Sequence, residues 1–179
     1  MIGPKELLRL VKEKKLVENL DKRELENPEG AGFDLRLGEV FKIKGKAFLG
    51  IEERHTPETE LVEKYVEGEK RAITIKPGDF YLFKTIENVN TPEDISINFK
   101  PRTTTFRSGL ILRTGNSAPG YKGPLTFAVS NQGPCEVTIE MGARFVHAQF
   151  HRVEGGGSLY RGQWQGGRVS TEGKKETQV

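Results

Sequence analysis

Hydrophobic positions change period once along this chain. In residues 3–20, Leu7, Leu8, Leu10 and Val11 fall at helical spacing with Lys and Glu between them. Pro4 suits the first helical turn, where its missing N–H costs nothing. This stretch predicts an amphipathic helix. After the Asn27-Pro28-Glu29-Gly30 break the period drops to two, with Phe33, Leu35 and Leu37 on one face of a strand. Residues 56–70 are dense in Glu and Lys and read as a loop excursion or a single helical turn. Residues 71–89 read as two strands around the tight Lys76-Pro77-Gly78-Asp79 turn. Further strands follow in residues 95–101, 110–114, 125–131, 135–141 and 143–153, the last three separated by Gly133-Pro134 and Met141-Gly142. Short strands at this spacing, punctuated by Gly and Pro, indicate an all-β barrel or sandwich. From Glu154 the chain turns Gly-rich. The expected organisation is a β domain with an N-terminal helix over residues 1–153, then a segment over 154–179 that could act as a lid and whose last ten residues are disordered.

Composition narrows the class. Of 179 residues, 35% are hydrophobic and 30% charged, which suits one soluble domain. No apolar run approaches the ~20 residues of a membrane span, and the charged N-terminus lacks the apolar core of a signal peptide. One cysteine, Cys135, cannot form an internal disulfide, as fits a reducing, cytoplasmic setting. The net charge of +3 does not by itself argue for nucleic acid; its local clustering is more informative. From Ile95 through Cys135 there is no Asp or Glu, while Lys100, Arg102, Arg107, Arg113 and Lys122 lie inside. That stretch favours an anion. Without a row of aromatics it makes a poor nucleic-acid surface.

Three places carry candidate chemistry. In residues 100–110, Arg102 and Arg107 flank Thr103, Thr104 and Thr105. Guanidinium forks and hydroxyls are phosphate donors, and a single helical turn there would add its first amides. The alternative is a capped turn with two solvated arginines. In residues 31–38, Asp34 either sits buried or capping at a strand start, or orients an arginine or a metal-bound water. In residues 160–164, set in a Gly-rich stretch that also carries Arg161 and Arg168, an aromatic could stack on a base and an arginine could close on phosphate; the alternative is a tail packed on a neighbouring subunit. His147 and His151 share a strand face but lack a third metal partner, and the residues of a zinc deaminase are missing.

Taken in order, these stretches resemble the dCTP deaminase and dUTPase superfamily, most closely its deaminase branch. "AGFDL" is similar to the first dUTPase motif. "PRTTTFRSGL" is similar to the deaminase Arg-Ser-Ser-x-x-Arg-x-Gly-Leu. "APGYKG" with "LTFAVSN", and "YRGQWQG", are similar to the later deaminase motifs. The resemblance covers about residues 1–167. It implies a distorted β-barrel or jelly-roll subunit (dUTPase-like), a homotrimer with sites between subunits, and Mg²⁺ carried on the triphosphate. It also implies nucleotide contacts from Arg102, Thr103, Thr104, Arg107, Thr126, Tyr160 and Gln163.

Four positions depart from the pattern. Ala128 stands where the deaminases have the Glu that activates water, and Ala118 replaces the Asp of the Asp-Pro-Gly turn. Gln163 stands for a Lys and Gly167 for a Gln. The phosphate-gripping half of the family site is kept and the water-activating half is lost; a general base typically contributes 10²–10⁴-fold. The first reading is therefore a dCTP deaminase-like protein that binds a deoxynucleoside triphosphate. The alternatives are a dUTP diphosphatase that takes its carboxylate from elsewhere (Asp34, Glu136, Glu140, or His147 as base) and a non-enzymatic nucleotide-binding or regulatory homologue.

Overall fold

The computed structural model describes residues 1–178. The apolar stripe near the N-terminus folds as α1 (Pro4–Lys14) and buries Leu7 and Leu10. It is shorter than the stretch predicted. Lys15 turns left-handed (φ 51°) and its N–H caps the helix on Leu10 O and Val11 O. The chain then pairs as β1 (Val17–Glu18) with a later strand, and a short α2 (Lys22–Glu26) follows, capped by Asp21 accepting from Arg23 N–H at 2.9 Å.

The rest is antiparallel sheet. After α2 come β2 (Phe33–Lys44), β3 (Phe48–Leu49), β4 (Glu53–His55), β5 (Glu58–Lys64), β6 (Ala72–Ile75), β7 (Phe80–Asn90) and β8 (Ile95–Pro101). Then come α3 (Thr103–Arg107), β9 (Leu110–Arg113), β10 (Lys122–Asn131), β11 (Val137–Glu140), β12 (Arg144–Arg152) and β13 (Glu176–Thr177). The main sheet runs β8-β12-β2-β7-β10-β9, with β1 added at β7 and β5 at β2; β11 pairs β6, and β13-β4-β3 form a small third sheet. The main sheet curls into a nearly closed, distorted barrel. Phe33, Leu35 and Leu37 are fully buried, as their alternation predicts, together with Phe83, Phe127, Phe145 and Phe150. Phe127 packs edge-on against Phe99 and Phe145 at 5.1 and 5.4 Å.

One expectation is corrected. Residues 58–64 are a strand, β5, and not a loop or helical turn. Its register sets Glu60 opposite Lys42 and Glu58 opposite Lys44, so cross-strand charge pairing substitutes for an apolar face. Residues 170–178 make defined contacts with residues 50–59. Thr171 is fully buried; its N–H donates to Thr56 Oγ1 at 2.9 Å, and its own Oγ1 accepts from Thr56 N–H at 3.0 Å. β13 then closes on β4, Glu176 opposite Arg54. Upstream, the tail lies along the loop that leads into β10: Tyr160 N–H donates to Pro119 O at 2.7 Å and Gly166 N–H to Lys122 O at 2.8 Å. That approach needs glycine. A Cβ on Gly123 (φ +130°) would stand 2.7 Å from the Gly166 carbonyl carbon.

Candidate functional site

The predicted site residues divide between two concavities. The first is a cleft of about 450 Å³ beside α3, lined by Glu29, Gly30, Asp34, Lys100, Pro101, Arg102, Thr103, Thr104 and His147. Residues 103–107 do form the single helical turn expected, with Arg102 at its N-cap. Asp34 is buried in β2 and orients an arginine: Arg102 Nε is 2.7 Å from its Oδ2. Arg144 Nη1 reaches the same oxygen at 3.2 Å, and His147 Nδ1 donates to Oδ1 at 2.9 Å. An ionised carboxylate only accepts, so the proton sits on Nδ1. Glu24, buried beneath, accepts from Asp34 N–H at 3.1 Å and from Arg144 Nη1 at 3.4 Å. This network fixes Arg102 through Nε alone. Among the described residues neither of its terminal nitrogens has a side-chain partner, so its fork is available to an anion.

Burial raises the Asp34 pKa, but the hydrogen bond from His147 and the charges of Arg102 and Arg144 outweigh it and hold the carboxyl below the usual aspartate value. Stability from such a group is fully present above the unfolded-state pKa of about 3.9 and is lost as pH falls through the lower folded-state value. Asp34→Asn is therefore expected to lower the thermal midpoint at neutral pH. The gap between variant and parent should close as the pH is taken below about 4. A gap of constant size down to strongly acidic pH would contradict this.

The second concavity, about 460 Å³, is mainly apolar. Its floor comes from neighbouring strands: Phe80 and Leu82 of β7, Thr126 and Ala128 of β10, Ile43 of β2 and Phe99 of β8. In β10 the alternation sends Phe127 and Val129 into the core and Thr126 and Ala128 towards this space, with Ala128 opposite Leu82. Ala118 and Tyr121 enter from the loop before β10, and Tyr160, Trp164 and Arg168 cover it from the tail. Thr126 Oγ1 is buried without a hydrogen-bond partner among the described residues. Among the described residues no Asp, Glu or His lines this cavity. Burial, with Tyr160 alongside, pushes the Tyr121 phenol up to about 12, and its O–H donates to Pro124 O at 2.6 Å. No lining side chain can take a proton from water near neutral pH.

Other predicted residues lie elsewhere. Arg107 is exposed at the far end of α3 and does not line the cleft that Arg102 lines. Gln163 does not line the apolar cavity; its amide ties the tail together, accepting from Arg54 Nε at 2.6 Å and donating to Glu176 Oε2 at 2.8 Å. Glu136 and Glu140 are exposed at and beside β11 and line neither concavity, so neither replaces the missing carboxylates within this chain. Sequence reading named Thr126 and Ala128 but missed Glu24, Thr56 and the other floor residues, Ile43, Phe80, Leu82 and Phe99. Only proximity in the fold marks them. Among the described residues no group of three or more His, Cys, Asp or Glu is placed to hold a metal ion, and no helix is long and apolar enough to cross a membrane.

A distorted antiparallel barrel with an N-terminal helix, a basic cleft at a short helical turn and a tail folded over an apolar cavity defines a dUTPase-like fold. The comparisons agree. A family model described as dCTP deaminase-like matches residues 1–153. The chain is 33% identical over 145 residues to the "Probable deoxyuridine 5'-triphosphate nucleotidohydrolase" of Methanothermobacter thermautotrophicus, spanning 81% of this chain and 91% of that one. It is 33% identical over 152 residues to the dCTP deaminase of Thermococcus sibiricus, spanning 84% and 85%. The crystal structure of the 2'-deoxycytidine 5'-triphosphate deaminase of Agrobacterium tumefaciens superposes with a TM-score of 0.63 at 16% identity, over 83% of this chain and 45% of that one. The chain thus spans less than half of that larger protein. It belongs to the dCTP deaminase-like family.

Proposed function

We propose that this protein binds a pyrimidine deoxynucleoside triphosphate and does not turn it over by the carboxylate-activated water route. One observation carries the reading. The cavity that bears the two family acid positions presents Ala118 and Ala128 there, and its other lining residues supply no base. The apolar and aromatic walls, with the unpartnered Thr126 hydroxyl, suit a base and sugar. Arg102, Lys100, Thr103 and Thr104 suit the phosphates.

Phe99 lines the apolar cavity and Lys100, the next residue of β8, lines the basic cleft. Successive strand residues face opposite sides of a sheet. One subunit therefore does not offer both halves to one ligand, and a site between copies satisfies that geometry; this supports the homotrimer. The described residues offer no carboxylate cluster for a resident metal. Mg²⁺ would travel with the triphosphate, where it screens charge. A dUTP diphosphatase or dCTP deaminase activity would need a partner subunit to bring a carboxylate to the cavity.

Calorimetry with dCTP and dUTP, alongside chromatography of the incubated nucleotides, tests the reading. Binding is expected without dUTP, dUMP or pyrophosphate formation. Arg102→Ala should weaken binding roughly 10–100-fold, the loss of one charge-assisted phosphate contact. Turnover at high protein concentration would overturn the non-catalytic assignment. Equal affinity of Arg102→Ala and parent would remove the cleft from the site.

A further inference from the structure

Among the described residues the apolar cavity is lined by a single cation. Arg168 reaches it from the tail, and no Lys, His or second Arg lines it. Its Nε donates to Ser170 O at 2.9 Å, and its two terminal nitrogens donate to Glu176, at 3.1 Å to Oε2 and 2.5 Å to Oε1. A guanidinium has five N–H donors, so two remain free. Glu176 is also the first residue of β13, set opposite Arg54 of β4, and it accepts from Gln163 Nε2 at 2.8 Å. One carboxylate of this chain thus neutralises the cavity's cation and fastens the end of the tail.

We propose that Arg168 is the residue that takes a phosphate of the nucleotide at this cavity, and that Glu176 is its resident competitor. The inference rests on the nucleotide reading above and adds a residue and a coupling to it. The Arg168 and Glu176 side chains are 38% and 24% exposed, and ion pairs open to water contribute little. A di- or triphosphate offers the same two-pronged geometry with more charge. Exchange therefore favours the nucleotide. Once Arg168 turns to phosphate, β13 loses its arginine partner from the tail and keeps its two-residue pairing to β4, the contacts of Gln163 and the bonds of Gln178 to Gly50, Ile51 and Glu52, all at the exposed edge of the small sheet. Binding loosens residues 176–178 while the upstream tail, held along residues 119–122, stays over the cavity.

The test uses the full chain. Glu176→Gln removes the competing charge and keeps the side-chain shape. Calorimetry is expected to show dCTP or dUTP binding about tenfold tighter than in the parent, and about tenfold weaker binding for Arg168→Gln, the worth of one charge-assisted contact. Hydrogen exchange on the unaltered protein supplies a readout that needs no variant to fold: nucleotide should speed exchange in residues 53–55 and 176–178. Unchanged or weaker binding by a folded Glu176→Gln protein, or unchanged exchange at saturating nucleotide, overturns the competitor role alone. Absence of dCTP and dUTP binding by the parent removes the nucleotide reading and this inference with it.

Discussion

Replacing Ala128 by glutamate is expected to raise dUTP formation from dCTP about 10²–10⁴-fold over the parent, the usual contribution of a positioned general base. The backbone is already in place. Ala128 lies mid-strand in β10, opposite Leu82, and its side chain lines the apolar cavity. A carboxyl there would be set among Phe80, Leu82, Phe99 and Tyr121. Desolvation by such walls raises a carboxyl's pKa towards neutrality, where a base works best. The cavity volume of about 460 Å³ leaves room for the longer side chain. Ala128→Gln is the control, because it fills the same space and accepts no proton. Product separation by chromatography at equal protein concentration decides the matter. Equal rates in the two variants would show that the missing carboxylate is not what limits this protein.

The sequence pattern reached the fold more fully than the site, and the reasons differ by residue. Phe33, Leu35 and Leu37 were legible because burial on one face of a strand imposes a period of two. β5 was not legible. Lying beside β2 outside the main strand path, it takes its register from Lys–Glu pairs across the ladder, and a run of charges carries no periodicity of its own. Arg102 and Asp34 were each visible as candidates, yet the 2.7 Å contact between them depends on β2 and β8 flanking β12 in the sheet. Tyr160 and Trp164 marked the tail as more than a passive end. Its fastening was hidden, because Thr56, Arg54 and Glu176 meet it only through long-range contacts. Arg107 shows the converse. Its place in a motif suggested a shared cleft with Arg102, but five residues of helix put the two at opposite ends of α3.

The barrel holds a buried ion pair that no pattern announced, and Glu87→Ala is expected to cost about 3–5 kcal/mol of stability. Glu87 is fully buried in β7. Its Oε2 accepts from Arg36 N–H at 2.8 Å and its Oε1 from Arg36 Nε at 2.7 Å. Arg36 is itself mostly buried and also reaches Asp21 at 3.1 Å. Burial pushes the Glu87 carboxyl above its ordinary pKa, more than the Arg36 contacts pull it down. Desolvation of this kind commonly offsets the attraction within a buried pair, so apolar residues of like volume often serve stability as well. Breaking the pair is a different matter, because a guanidinium and a backbone N–H lose their acceptor together. At roughly 2–4 °C per kcal/mol for a chain of this size, the thermal midpoint should fall by about 6–20 °C. Arg36→Met combined with Glu87→Leu should recover much of that loss, since it removes both charges; the Arg36 amide loses its partner, while the Asp21 and Asn19 oxygens that Arg36 also met are open enough to turn to water. Denaturant titration of the parent, both single variants and the double variant closes the cycle. A double variant as unstable as the sum of the singles would mean that the two side chains do not act on each other.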